Sequence, residues 1–221
     1  MKKLMLLIAL LIAGVMTFAQ EYATSGYEVG DTARDFLLKN VDGTMVAMAD
    51  FPDARGFIVI FTCNHCPYSK AYEDRIIALD KKYKFKGYPV LAINPNDSVL
   101  VPEDSFSFMQ VRAKEKGFTF PYLYDAGQKV YREYGAKRTP HVFLLEKKNV
   151  ESPAANGRTN KEDVYIVRYI GAIDNNHTDA GKADEKYVEM AVDALISGNN
   201  PDPDFTKAIG CTIKDRAFIN K

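Results

Sequence analysis

Apolar and polar positions along this chain fall into runs of distinct period. Gly56-Phe57-Ile58-Val59-Ile60-Phe61 and Pro89-Val90-Leu91-Ala92-Ile93-Asn94 are nearly unbroken apolar stretches. Such runs predict central strands covered on both faces. Between them, Pro67 to Lys84 sets Tyr72, Ile76, Leu79 and Tyr83 on one helical stripe, and Gly87 supplies the stop. Strand, helix and strand in that order predict a right-handed crossover with parallel strands. A second helix is expected over about 103–116, with Phe106, Met109 and Ala113 on one side and Gly117 after it. Residues 118–124 read as extended, and Ala126 to Tyr134 as a short helix closed by Gly135. Further strands are expected at Val142–Leu145 and Val164–Ile170, joined by a polar surface loop from Lys147 to Asp163. Asp184 to Ile196 carries a last amphipathic helix through Val188, Ala191, Val192 and Leu195. Upstream, Phe36–Val41 and Thr44–Met48 flank Asp42-Gly43, a pair that provides the positive φ of a hairpin turn. The sum is one α/β domain with a mixed central sheet, helices on both faces and an N-terminal β-hairpin.

The ends of the chain depart from this pattern. Lys2 and Lys3 precede an apolar run from Leu4 to Val15, and small residues follow at Thr17 and Ala19. This is the pattern of a cleaved secretory signal, with the cut expected after Ala19. The run is shorter than the ~20 residues a bilayer span requires, and no later segment is long and apolar enough. The absence of a nearby Cys argues against lipidation. The expectation is therefore a leader over 1–19, a folded domain over 20–198 beginning with a loose lead-in, and a tail over 199–221 carrying Cys211. The Met-Lys-Lys start is of a bacterial kind, which makes the destination the periplasm and the mature product soluble, without stable membrane insertion. Disulfides persist there.

Composition adds exclusions. The 221 residues carry 29 basic and 29 acidic side chains and are 47% apolar, which excludes a disordered or fibrous chain. A net charge of zero offers no cationic surplus for nucleic acid. Three cysteines are too few for a disulfide-stapled miniprotein.

The chemistry is expected in Phe61-Thr62-Cys63-Asn64-His65-Cys66-Pro67-Tyr68-Ser69, between a buried strand and a helix. Open α/β sheets place their sites at the carboxyl ends of strands. Proline suits the first helical position, where its missing N–H is no loss. Cys66 then falls at the N-cap, where free N–H groups and the helix dipole favour an anion. A thiol so placed drops from a pKa of about 8.5 to between about 3.5 and 7.5, so Cys66 is the expected attacking thiolate. Cys63 is its near partner, and would itself attack if the helix began one turn earlier. His65, when protonated, favours the thiolate further. Thr139-Pro140 precedes an apolar strand. A cis peptide there would hold a backbone edge beside the thiolate, where an incoming peptide could pair. Asp97, Glu103 and Asp104 are expected to face solvent and start a helix. Asn176-His177-Thr178 fits a glycosylation acceptor by pattern alone.

Several segments together resemble the thioredoxin superfamily, and within it the redoxin or thiol-specific-antioxidant group, nearest the peroxiredoxin-like proteins. They are Gly30-Asp31-Thr32-Ala33-Arg34-Asp35-Phe36 with the Asp42-Gly43 hairpin, Asn64-His65-Cys66-Pro67-Tyr68, Phe120-Pro121-Tyr122-Leu123-Tyr124-Asp125, Thr139-Pro140 and Gly210-Cys211-Thr212-Ile213-Lys214. The resemblance spans about residues 27–196. It implies a thioredoxin-like fold with an N-terminal β extension and a cis Pro140. It also implies that Cys66 and Ser69 stand where thioredoxins carry their two cysteines, which leaves Cys63 or Cys211 to supply the resolving sulfur. The chain departs from the group in having no tryptophan and no evident buried acid for a second cysteine. The Pro-x-x-x-Thr-x-x-Cys peroxide motif is also missing: Val59 and Cys63 stand at its first two places before Cys66.

These features point to an exported thiol–disulfide oxidoreductase. Its catalytic set is Cys66, Cys63 and Cys211, with Thr139 and Pro140 holding substrate and His65 and Pro67 tuning the thiol. Its partners would be disulfide or thiol substrates and a further thiol redox partner, with no cofactor. A thiol peroxidase is the alternative. Weaker readings are a soft-metal site formed by Cys63, Cys66 and either His65 or His141, and a redox-inert binding protein.

Overall fold

The computed structural model describes residues 26–153 and 159–219. The expected leader lies outside the described residues. Strands β1 (Thr32–Ala33), β2 (Leu38–Asn40) and β3 (Met45–Val46) precede β4 (Gly56–Phe61) and helix α1 (Pro67–Tyr83). There follow β5 (Val90–Asn94), α2 (Phe106–Lys116), β6 (Tyr122–Tyr124), α3 (Val130–Tyr134) and β7 (Arg138–Thr139). Two long strands, β8 (His141–Pro153) and β9 (Thr159–Gly171), lead to α4 (Tyr187–Ile196), β10 (Cys211–Thr212) and α5 (Arg216–Ile219).

Eight strands form one mixed sheet in the order β1-β9-β8-β4-β5-β6-β2-β3. The β4–β5 and β5–β6 pairs are parallel, as crossovers through α1 and α2 require, and β4–β8 and β8–β9 are antiparallel. The N-terminal strands close both edges, β1 against β9 and the β2–β3 hairpin against β6. Covered edges do not recruit stray strands. This is the thioredoxin-like arrangement that the sequence resemblance implied, with its N-terminal β extension.

Strand β4 is buried along its whole length because both its faces are covered. Phe57, Val59 and Phe61 pack with Tyr131 and Tyr134 of α3 and with the N-terminal Phe36 and Met48. Ile58 and Ile60 turn the other way, onto Tyr72, Ile76 and Leu79 of α1 and Val188 and Val192 of α4. At about 1.5–3 kcal/mol per fully buried apolar side chain, this double cover fixes where β4 ends and therefore where the loop after Phe61 begins. Among the described residues no helix is long and apolar enough to cross a membrane.

Three expectations are corrected. The segment Lys147–Asp163 is not a loop: β8 and β9 continue as a hairpin to Pro153 and from Thr159. Its arms pair through the backbone ladder, with charge pairs across it, Lys147 with Asp163 at 2.9 Å and Lys161 with Glu151 at 2.9 Å. With no core to face, such arms need no apolar alternation, so periodicity gives no signal there. The short helix begins at Val130 rather than Ala126, because the Asp125 carboxylate accepts from Lys129 N and Tyr131 N and turns the chain first. Finally, Asp104 and Asp97 are buried; only Glu103 of that trio is exposed.

Candidate active site

Helix α1 begins at Pro67, and Cys66 is its N-cap in extended conformation, with no side chain capping the free N–H groups. The reading in which the helix starts a turn earlier, at Cys63, is thereby corrected. Proline at the first position sets this start, since its ring fixes φ and it has no N–H to leave unbonded.

The loop between β4 and α1 is held by a single carboxylate. Asp104 is 0% exposed, in a 3₁₀ turn at Pro102–Asp104. Its Oδ1 accepts from Asn64 N at 2.7 Å and His65 N at 3.1 Å. Its Oδ2 accepts from Asn96 Nδ2 at 2.7 Å and lies 2.5 Å from His65 Nδ1. Tyr122 donates its hydroxyl to Asn64 Oδ1 at 2.8 Å, and Asn64 Nδ2 donates to the Glu103 carbonyl at 2.8 Å. A buried carboxylate is tolerated here because four donors replace its water.

The three cysteines occupy three environments. Cys66 is 0% exposed and is joined to Cys211 by a disulfide, with Cα atoms 6.1 Å apart. Its Sγ lies 3.2 Å from the Thr139 carbonyl oxygen. Cys63 is a free thiol, 3% exposed. Its Sγ lies 3.3 Å from Thr139 Oγ1, 3.6 Å from His65 Nδ1 and 3.8 Å from Ser69 Oγ. Burial, with the Asp104 charge adding to it, pushes the Cys63 thiol up to about 11. Cys63 is thus a thiol at neutral pH and a poor nucleophile.

The Thr139–Pro140 peptide is cis. Thr139 carries the edge of β7, and that edge is filled by the tail: β10 pairs antiparallel with it, Cys211 opposite Thr139 and Thr212 opposite Arg138. Arg138 donates to Thr212 Oγ1 at 2.7 Å. Beyond Cys211 the tail is anchored. Ile213 enters the core, Lys214 N donates to Asn96 Oδ1 at 2.8 Å, and the Lys214 carbonyl accepts from Asp97 N and Gln128 Nε2, each at 2.9 Å. Asp215 is buried against Tyr131 Oη and the Arg132 guanidinium, and Arg216 pairs with Asp97. Asn96 therefore touches both halves of the site, donating to Asp104 and accepting from the tail.

His141 stands at the start of β8, opposite Phe61, and is 7% exposed. Its Nδ1 accepts from Lys137 N at 3.2 Å, and burial, with Lys137 nearby, lowers its pKa to about 4. It is thus neutral at pH 7, and it lines a cavity of about 660 Å³ shared with Tyr27, Phe143 and Phe205. Neither soft-metal set anticipated from the sequence assembles, since Cys66 is bonded to Cys211 and His141 is held by the chain preceding it. A different trio, Cys63, His65 and Asp104, has donor atoms within 4.8 Å of one another. It does not suit a metal: the Asp104 oxygens already face four donors, His65 Nδ1 among them.

Sequence reasoning missed Asp104, Asn64 and Asn96 as parts of the site. No spacing rule links residue 104 to residue 65; only the β5 crossover brings them together.

Against known proteins, the chain is 26% identical over 167 residues to a thiol-disulfide oxidoreductase ResA of Geobacillus thermodenitrificans, covering 74% of this chain and 90% of that one. Among solved structures, a hypothetical protein from Sinorhizobium meliloti aligns with a TM-score of 0.73 at 30% identity, over 87% of this chain and 97% of that one. An uncharacterized conserved protein from Geobacillus kaustophilus aligns at 0.72 and 33%, over 86% and 93%. The AhpC/TSA family profile matches residues 29–152, from the N-terminal β extension through the thiol loop and the cis proline, and the chain belongs to that family, within the thioredoxin superfamily.

Proposed function

We propose that this oxidoreductase exchanges thiols and disulfides outside the cytoplasm, with Cys66 as nucleophile and Cys211 as resolving thiol. The Cys66 thiolate attacks one sulfur of a substrate disulfide, forming a mixed disulfide and releasing the other sulfur as a thiolate. Cys211 then attacks the Cys66 sulfur, expels the substrate's second thiolate and leaves the Cys66–Cys211 disulfide. Two electrons have passed to the substrate. Thr139, Pro140, His65 and Pro67 position the chemistry: the first two carry the backbone edge that β10 occupies in the disulfide form and that a substrate takes once the reduced tail lifts, the others define the helix start and the loop.

The observation that carries this reading is a disulfide from the N-cap of α1 to Cys211, beside a cis proline. The helix N-terminus supplies partial positive charge of the sign a thiolate needs. The similarity to a thiol-disulfide oxidoreductase supports the same class. Export rests on the leader pattern at residues 1–19.

Insulin reduction driven by dithiothreitol is the test. Cys66→Ser is expected to lower the rate by about 100-fold or more, whereas Cys63→Ser stays within about twofold of the parent. Full activity in Cys66→Ser would refute the assignment. Cys211→Ser should accumulate the mixed disulfide at Cys66, seen by mass.

Membership of the AhpC/TSA family favours a second reading, a thiol peroxidase. The sequence opposes it, with Cys63 and Val59 where the peroxide-binding threonine and proline would stand. Stopped-flow oxidation of reduced protein by hydrogen peroxide separates the two: a rate no faster than an ordinary thiol ends the peroxidase reading.

A further inference from the structure

The oxidised site is asymmetric in a way that decides where electrons return. Of its two bonded sulfurs, Cys66 belongs to a residue with 0% exposure, beneath the tail and against Thr139. Cys211 is half-buried, on the outer strand, between the half-buried Gly210 and the exposed Thr212. The backbone edge at Thr139, where a peptide would pair, is taken by β10 itself. Gly210 is fitted closely there, since a Cβ at that position would lie 2.3 Å from the Thr139 carbonyl oxygen. A reductant therefore meets neither a reachable Cys66 sulfur nor a free strand edge.

The two possible leaving groups also differ. Attack on Cys211 expels the Cys66 thiolate at the N-terminus of the 17-residue α1. Attack on Cys66 expels the Cys211 thiolate, which lies in strand β10 and caps no helix. The better-stabilised thiolate leaves faster.

Resting on the exchange reading above, we infer that the regenerating reductant attacks Cys211, end-on and without strand pairing, and that Cys66 is the leaving group. The reductant thiolate bonds to Cys211 Sγ as the Cys66–Cys211 bond breaks, and the bonding pair goes to Cys66 Sγ. A second thiol of a dithiol reductant then attacks its own sulfur in this mixed disulfide and frees Cys211 as a thiolate. The reductant leaves as a disulfide, two electrons poorer. Cys211 is thus the entry sulfur as well as the resolving one, which separates the substrate side of the site from the donor side.

The test uses oxidised full-length protein and glutathione as the probe thiol. After brief exposure the reaction is acid-quenched, free thiols are alkylated, and tryptic peptides are mapped by mass. Peptide 208–214 carries Cys211, and peptide 56–70 carries Cys63 and Cys66, which fragmentation distinguishes. At the earliest times the glutathione adduct is expected on Cys211 in about tenfold or greater excess, with the alkyl group on Cys66. Glutathione chiefly on Cys66 would overturn the inference, as would an intact disulfide that glutathione fails to open. An oxidised sample with no Cys66–Cys211 peptide before glutathione is added would instead overturn the exchange reading itself.

Discussion

Single residues in this protein act through the water they exclude. Cys63 and Cys66 lie three positions apart, yet one is a buried thiol pushed up to about 11 and the other caps a helix. The difference comes from the burial of Cys63, with the Asp104 charge adding to it, and from the free N–H groups at Cys66. His141 gives a pH signature. Its pKa falls to about 4 in the fold and returns to about 6.5 on unfolding, so the unfolded chain binds the proton first. Stability from this group is complete above pH 6.5 and is lost as pH falls from there to about 4. The full loss is of order 3 kcal/mol. Urea midpoints between pH 7 and pH 4.5 should fall more steeply for the parent than for His141→Asn, whose side-chain oxygen can still accept from Lys137 N. Parallel pH curves would show that His141 does not titrate this way.

At the scale of elements, the decisive piece is the strap from the end of α4 to α5. It is tied before Cys211 by Ile170 N donating to the Asp204 carbonyl and Thr206 N donating to the Ile170 carbonyl, and after it by the Lys214 and Asp215 contacts. Two fixed ends hold Cys211 over Cys66 at high effective concentration. The fit is narrow at Gly210. Gly210→Ala drives a methyl into the Thr139 carbonyl, a backbone atom that cannot yield without moving β7. The variant should fold, since the strap lies at the surface. Its Cys66–Cys211 equilibrium should shift toward the dithiol by about tenfold. A glutathione redox titration read by peptide mapping checks this; an unchanged equilibrium would mean that β10 relaxes freely.

For the whole molecule, the disulfide closes a loop of 145 residues, almost from the centre of the sheet to the end of the chain. Chain-entropy arguments give such a cross-link up to about 5 kcal/mol at 25 °C. Oxidised protein should therefore unfold at a clearly higher urea concentration than reduced protein, measured in a Cys63→Ser background to prevent reshuffling. Equal midpoints would exclude Cys66–Cys211 as the resting bond. The reduced form should still fold, because the cores on either side of β4 are built without the cross-link.

Much of this architecture was legible before folding. The apolar runs at 56–61 and 89–94, the stripe on α1 and the stops at Gly87, Gly117 and Gly135 are local signals, and all three glycines adopt positive φ. Pro67 pointed to a helix start beside Cys66, with a start one turn earlier left open, and the helix does begin at Pro67. The polar arms of β8 and β9 were not legible, because they pair through the backbone with little buried face and so show no apolar period.

What the sequence determined by itself is the set of elements, the thiol at a strand-to-helix junction and the three sulfurs available to it, because period, capping and proline chemistry act over a few residues. Tertiary structure alone decided that Asp104 turns inward to hold the thiol loop, that Cys63 is sealed as a thiol, and that the tail lies on the edge beside Pro140 and delivers Cys211. Each of those joins residues 39 to 145 positions apart. Burial and strand pairing are properties of what lies opposite in space, and no local pattern encodes them.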